Sequence, residues 1–351
     1  MTTENTALKV DVIIPVYNAE KYLDRCYKSL KNQTLEGIRI IFVDDESTDN
    51  SGKICDKYAA DNPMVTVIHQ KNAGAGYARN RGLEVVEAEY VAFVDADDSV
   101  EPEMYEALYK AAREYDADFV LSGAKYVGGL FFDADADEYK TCFSKCEIFA
   151  GEDGRKKLAL GIAGALPEEE EDSRYGFAVW KNLYRSAIIK DNNIRFLSER
   201  EYESEDALFL IDYTEHIQKA VGIPGAYYNY FRNPNSFSKS FESNKFKRYK
   251  AFISELEKHL AEFIPKNDYE IFLDRQLQAV ARVSCIHEAM LGGKGTCSRL
   301  LAIDKDADLT ECLKRYPWWK LPKKQAIFAG FMRYRLTLLQ YILVRLKSKM
   351  N

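Results

Sequence analysis

The sequence predicts an α/β sandwich on a mostly parallel central sheet, followed by a helical C-terminal region. Three observations carry this. Short apolar runs of β-formers alternate with amphipathic helical periodicity from Val10 to Ser122. The runs are continuously apolar, as strands buried in a parallel sheet are. From Phe246 onward strand signals stop and helical ones continue, interrupted near Gly292-Gly293 and Pro317.

Val10 to Val16 reads as the first strand and ends in Pro15-Val16-Tyr17-Asn18. Leu23, Cys26, Tyr27 and Leu30 recur at helical spacing, with Asn18 near the cap. Ile38 to Val43 is a second strand running into Asp44-Asp45-Glu46-Ser47, and Thr48 to Ser51 supplies cap chemistry for a helix with Ile54 and Tyr58. Val65 to His69 is the third strand, Ala75 to Val86 the third helix and Tyr90 to Val94 the fourth strand. Glu101-Pro102 opens a helix to Tyr115, with the proline at its first position, and Phe119 to Ser122 is the fifth strand. Beyond Gly123 the pattern loosens. Gly128-Gly129 and the acids from Asp133 to Glu138 read as a loop or hairpin, and Glu168 to Asp172 as a solvated, mobile loop. Val179 to Tyr184 leads into a helix near Ile188, Glu205-Asp206 starts an apolar helical face, and Tyr227 to Arg232 alternates like a strand before breaking at Asn233 to Ser236. There is no internal repeat.

The 351 residues, 46% hydrophobic, suffice for one large domain or two smaller ones with cores of their own. Seven cysteines without a CxxC pair argue against a disulfide framework or a zinc site and for a reducing, cytoplasmic compartment. Met1 to Leu8 is short and polar, which reads as no signal peptide. Ten of the 49 basic residues and none of the 55 acidic ones lie from Leu313 to Asn351. A basic tail on an acidic body suits a surface that meets phosphate groups.

Chemistry concentrates where strands end. In Tyr90-Val-Ala-Phe-Val-Asp95-Ala-Asp97-Asp98, carboxylates fall at the carboxyl end of a strand, the edge where open α/β sheets bind ligands. An extended chain sends Asp95 and Asp97 to one side, and their repulsion is relieved by a hard cation such as Mg²⁺ or Mn²⁺. The bland alternative is a solvated acidic turn before the next helix. With Pro15/Tyr17 and Asp44/Asp45 on the same edge, the sequence assembles a ring, hydrogen-bond acceptors and metal ligands, which are the parts a nucleotide needs. Asn72-Ala-Gly74-Ala-Gly76-Tyr-Ala-Arg79-Asn80-Arg-Gly82 adds a glycine-rich helix start that favours an anion, although such a loop is more often mere turn chemistry. It is neither a dinucleotide fingerprint nor a P-loop.

Four stretches in order, Pro15-Val-Tyr17-Asn18, Val43-Asp44-Asp45-Glu-Ser47-Thr-Asp49, Asn72-x-Gly74-x-Gly76-x-x-Arg79-Asn80-x-Gly82 and Asp95-Ala-Asp97-Asp98, resemble the family 2 glycosyltransferases of GT-A fold. The likeness is close over the first third. It continues thinly through Trp180 to Tyr184, Glu205-Asp206 and Tyr230-x-Arg232-x-x-x-Ser236. One departure is Glu46, where the family usually has Gly; a looser turn there leaves the pocket in place.

The resemblance implies a nucleotide-sugar-binding, Rossmann-like GT-A domain over residues 1–240, with a nucleotide half to 123 and an acceptor half from 124, before a helical region at 241–351. It implies that Pro15, Tyr17, Asn18, Asp44, Asp45, Asn72, Gly76, Arg79 and Asp95 hold a nucleotide-sugar donor, UDP-linked by family preference. Asp97, with Asp95, would ligate Mn²⁺ or Mg²⁺. Asp206 would be the base that deprotonates an acceptor hydroxyl, Glu205 its neighbour and Arg232 a neutraliser of the leaving diphosphate. From the residues alone, an acidic pair at a helix start is usually just favourable dipole chemistry. A lone arginine at a strand end is normally surface.

The implied acceptor is a saccharide or lipid-linked saccharide in bacterial surface-polysaccharide assembly, and nucleic acid is not an expected partner. Apolar and basic residues alternate between Gln325 and Lys349 without an uncharged run long enough to span a bilayer. This reads either as a helix lying on an anionic membrane, which would make the protein peripheral on the inner face, or as a helix packed on the body. Two other functions compete. A sugar nucleotidyltransferase should open with a glycine-rich basic loop, and Pro15 to Glu20 offers none. A non-catalytic nucleotide-sugar or glycan-binding module would not need a metal pair and a base together.

Overall fold

The computed structural model describes residues 7–127, 138–232 and 245–347. Of the loop or hairpin expected from Gly128 to Glu138, residues 128–137 lie outside these, as does the break expected at 233–236. Among the described residues ten strands form one sheet: β1 (Val10–Val16), β2 (Ile38–Asp45), β3 (Val65–Gln70), β4 (Tyr90–Phe93), β5 (Ser99–Val100), β6 (Phe119–Val127), β7 (Glu138–Lys140), β8 (Glu147–Ala150), β9 (Asn182–Arg185) and β10 (Lys219–Phe231). Their order is β3-β2-β1-β4-β9-β6-β10-β5, with β7 on β6 and β8 on β10. Pairs β1–β2, β1–β4, β2–β3 and β6–β10 are parallel, whereas β9 runs antiparallel between β4 and β6. The fold is the expected GT-A-like α/β sandwich.

The helices are α1 (Leu23–Lys31), α2 (Ser51–Asp61), α3 (Ala75–Leu83), α4 (Met104–Tyr115), α5 (Gly151–Ala163), α6 (Ser186–Asp191), α7 (Glu205–His216), α8 (Lys245–Ala261), α9 (Lys266–Leu291), α10 (Thr296–Asp304), α11 (Ala307–Arg315), α12 (Lys323–Arg333) and α13 (Thr337–Lys347). Strand alternation explains the layering. Val12, Ile14 and Val16 of β1 share a core with Leu23, Cys26 and Leu30 of α1 and with Tyr105 and Leu108 of α4. Ile13 faces the other way, where a Cβ on Gly82 of α3 would meet its Cγ2 at 2.5 Å. Both faces are covered, hence the unbroken apolar runs.

Two compact units emerge. The first takes Met1–Leu158, Ala178–Arg200 and Leu208–Pro234; the second takes Ala159–Phe177, Glu201–Ala207 and Asn235–Asn351. In the second, Leu277, Ala281 and Cys285 of α9 form the spine of a core with Leu300, Leu309, Phe328, Met332 and Val344 from the four following helices. Among the described residues no helix is long and apolar enough to cross a membrane.

Several local expectations are corrected. The helix expected from Pro102 begins at Met104, and Asn18 does not cap α1, whose preceding residue is Tyr22. The Glu168–Asp172 run is clamped rather than mobile. The fully buried guanidinium of Arg275 donates to Pro167 O, Glu169 O, Glu171 O and Asp172 Oδ1 at 2.9 to 3.1 Å. A buried cation needs this many acceptors, and the carbonyls of the acidic loop supply them. The basic stretch after Gln325 is two helices, broken where Arg335 takes a left-handed φ of 56°.

Candidate active site

β1, β2 and β4 all end on one edge of the first unit, because they run parallel in register, with Val16 opposite Asp44 and Ile13 opposite Phe93. Pro15 is half-buried there, and Tyr17 stands out beyond the strand, 54% exposed. Asn18 takes a left-handed φ of 51°, and its Oδ1 accepts from Thr48 N (2.8 Å) and Asp49 N (3.3 Å). It therefore ties the loop after β1 to the loop after β2. Glu46 also sits left-handed, at φ 61°, where a glycine is unstrained. Its Oε2 accepts from Asn72 N at 3.2 Å, a partial offset that a glycine lacks.

The two aspartates of β2 point to different tasks. Asp44 bonds His69 Nδ1 at 2.9 Å, and His69 Nε2 meets Asp56 at 3.0 Å. Those two carboxylates raise the His69 pKa. Asp45 is buried and accepts from Gln70 Nε2 (2.7 Å), Ala73 N (2.9 Å) and Gly74 N (2.8 Å), while Asn72 Nδ2 donates to Asp45 O at 3.0 Å. Asp45 thus shapes the approach to α3.

At the start of α3 the structure seats one of the chain's own anions. Ala75 N and Gly76 N donate to the Glu199 carboxylate at 3.2 and 3.3 Å. A Cβ on Gly74, whose φ is 100°, would stand 1.8 Å from Glu199 Oε1, and one on Gly76 would stand 2.5 Å from Leu197 O. The glycines therefore admit the 197–199 segment as well as freeing N–H groups. Asn80 reinforces it, exchanging two 2.8 Å bonds with the backbone of Phe196. Sequence reading did not single out Glu199, whose partners lie 124 and 123 residues earlier in the chain.

Beyond β4, Asp95 and Asp97 are half-buried and Asp98 is fully buried. Arg79, 4% exposed, donates to Asp95 Oδ1 at 2.9 Å, and Arg25 donates to Asp97 O. Asp98 accepts from Tyr228 Oη (2.7 Å) and Phe231 N (2.8 Å). Burial, with Asp95 and Asp97 adding repulsion, pushes its pKa up to about 8. Tyr228 Oη also accepts from Asp95 N at 3.1 Å, so β10 grips the loop from both ends. Tyr228 and Asp98 went unrecognised as parts of the site; the adjacent third carboxylate was the one signal available. Arg232, one residue past β10, donates to Glu138 Oε2 at 2.8 Å.

Pro15, Tyr17, Asn18, Asp44, Asp45, Asn72, Gly76, Arg79, Asp95, Asp97 and Arg232 all belong to the first unit. Glu205 and Asp206 form the first turn of α7, in a segment that groups with the second unit.

A family sequence model described as glycosyl transferase family 2 matches residues 11–152, which hold all four donor-side motifs. Over those residues the chain matches glycosyl transferase family 2. An Escherichia coli K12 protein, "Uncharacterized glycosyltransferase YibD", is 34% identical over 239 residues, 67% of this chain and 64% of the relative. The "Cholesterol galactosyltransferase" of Borreliella burgdorferi is 31% identical over 66% of this chain and 62% of its own length. The chain thus spans less than two thirds of each of these relatives. The crystal structure of Staphylococcus aureus TarS 1–349 in complex with UDP-GlcNAc matches 98% of this chain and 92% of that one, at a TM-score of 0.66 and 21% identity, a likeness of fold.

The donor set at this sheet edge can be tested for a divalent cation. Among the described residues no three His, Cys, Asp or Glu side chains form a ready cage. Asp98 is committed to Tyr228 and Phe231, and Asp95 Oδ1 accepts from Arg79, so the carboxylates to weigh as ligands are those of Asp97 and Asp95. A hard cation that takes one or two carboxylates and completes its shell with diphosphate oxygens and water fits this donor set.

Proposed function

We propose that the protein is an inverting, metal-dependent glycosyltransferase that moves a sugar from a nucleoside-diphosphate sugar to a hydroxyl of a saccharide or lipid-linked saccharide. The observation that carries the reading is the convergence of Tyr17, Asp45, Arg79, Asp95 and Asp97 on one sheet edge. UDP as the nucleotide rests on the family resemblance and, at the level of fold alone, on the TarS complex with UDP-GlcNAc. The protein would work in the cytoplasm, with the inner membrane face as a second location when the acceptor is lipid-linked.

In this reading Tyr17 stacks on the base, and Asp45 and Asn72 hold the acceptors and donors around it. Asp97 and Asp95 would hold Mn²⁺ or Mg²⁺, which would supply positive charge to a leaving diphosphate. Arg79, fixed by Asp95, and Arg232, fixed by Glu138, add positive charge for the same purpose. Asp206 takes the acceptor proton as the acceptor oxygen bonds to the anomeric carbon, and the bond to the diphosphate oxygen breaks with its electron pair leaving on the diphosphate. Attack on the opposite face inverts the centre.

The test is a panel of UDP- and GDP-sugars, scored for binding and slow hydrolysis with and without Mn²⁺. Binding and hydrolysis of a UDP-sugar that require Mn²⁺ support the proposal. Binding without hydrolysis or transfer points to a non-catalytic module, and formation of a nucleotide-sugar from sugar phosphate to a nucleotidyltransferase.

A further inference from the structure

The helix α13 is turned inside out. A surface helix normally buries its apolar stripe and shows its polar one. Here Gln340 is fully buried, its Nε2 donating to Asp304 Oδ2 at 2.8 Å, and Val344 lies one turn on. Leu338, Leu339, Ile342, Leu343 and Leu346 are instead 41 to 60% exposed. Their spacing of three and four residues puts them along one face. Nine of the fifteen exposed large hydrophobic side chains among the described residues fall between Trp319 and Leu346. Such a concentration on a folded surface marks a place where something docks.

The charge around it selects the partner. Arg345 on α13 and Arg335 just before it are exposed, as are Lys323 and Lys324 at the start of α12, and no acid occurs from Leu313 onward. We propose that α13 seats its leucine face in the interface of an anionic lipid bilayer, with these cations on the headgroups. An aliphatic face rimmed by Lys and Arg, on a helix too short to span, has the make-up of an interfacial helix. Each cation close to an anionic surface adds attraction, and salt weakens it. A second copy of the chain would bring two basic rims together, and an acidic protein groove would have to be aliphatic as well. The surface stands on these exposures alone and does not depend on the catalytic reading.

The test is flotation of the full chain with phosphatidylcholine vesicles, with and without phosphatidylglycerol. The natural chain should float with the phosphatidylglycerol vesicles, and less so as salt rises. The double variant Leu339→Glu/Leu343→Glu should lose about tenfold or more in vesicle affinity, with an unchanged melting temperature, since both side chains face solvent. Arg335→Glu/Arg345→Glu should weaken binding to anionic vesicles selectively. UDP affinity, measured beside each, should stay at the natural level. The proposal is overturned if the natural chain does not float, if the leucine variant floats equally well, or if sedimentation shows a self-associated species that the leucine variant abolishes while vesicles remain unbound.

Discussion

The hydroxyl of Tyr228 accepts from Asp95 N and donates to Asp98 Oδ2, 3.1 and 2.7 Å away. One atom thus sets the loop that carries the proposed metal ligands, while the ring stays stacked on Trp180 at 4.1 Å. Tyr228→Phe removes both bonds and leaves the buried Asp98 short of a donor. It should cost about 1–3 kcal/mol of stability and weaken Mn²⁺-dependent UDP binding by about tenfold, read by calorimetry. Unchanged Mn²⁺ dependence would make Tyr228 a packing residue only. Asp97→Asn addresses the loop's chemistry: turnover should disappear while the melting curve stays. Full activity of that variant, or of the natural protein in excess chelator, sinks the metal assignment.

At the scale of elements, α7 carries the proposed base, whereas the donor-side residues lie at strand ends and in α3. Glu205 and Asp206 occupy its first turn, ahead of the buried run Ala207 to Ile211. Phe209 in that run stacks on Phe196 at 4.0 Å and meets Phe93 of β4 edge-on at 5.6 Å. Asp206→Asn should therefore leave donor affinity near normal and slow transfer by about 10²–10⁴-fold, with Glu205→Gln the milder change. Donor calorimetry beside transfer rates checks both, and a dead Glu205→Gln with a normal Asp206→Asn reverses the assignment.

What could be read in advance divides along the same elements. β1, β2 and β4 were legible because burial on both faces makes them apolar throughout, with acids or Pro-Val-Tyr at their ends. Only the last part of β10 was legible, since Gly222 to Gly225 interrupts its pattern where the pairing with β6 shifts register. The helix α5 was missed because Gly151, Gly154 and Gly161 lower its propensity; Gly161 is there to clear Tyr175, which a Cβ would meet at 2.3 Å. In the site, residues adjacent in sequence could be grouped by motif. The Tyr228–Asp98 and Glu199–Ala75 contacts, 130 and 124 residues apart in the chain, could not.

For the molecule as a whole, buried carboxyl groups make stability depend on pH. Asp304, held by Gln340, has its pKa pushed up to about 7 by burial. The folded chain then binds a proton more tightly than the unfolded one between about pH 4 and 7. Stability from this group is full below that window and falls as pH rises through it. Asp274, raised by burial, and His69, raised by Asp44 and Asp56, act in the same direction. Asp304→Asn keeps an acceptor for Gln340 and cannot ionise. It should match the natural protein near pH 4 and exceed it at pH 8 by about 1 kcal/mol once solvent screening is allowed for. Urea melts at the two pH values measure the difference, and parallel curves for the two proteins would exclude Asp304 as the source.

The grip of β10 on the Asp95–Asp98 loop also bears on the order of synthesis. When translation has reached Arg200 all four donor-side motifs have been made, but Tyr228 and Phe231 are still untranslated. At about 5–20 residues per second, the 130 residues between Asp98 and Tyr228 take roughly 6–26 s to make. Throughout that interval Asp98 has neither partner, and the proposed metal loop is tethered through β4, Arg25 and Arg79 without β10. A stalled nascent chain ending near residue 205 should therefore bind UDP and Mn²⁺ far more weakly than one ending past residue 235 outside the exit tunnel.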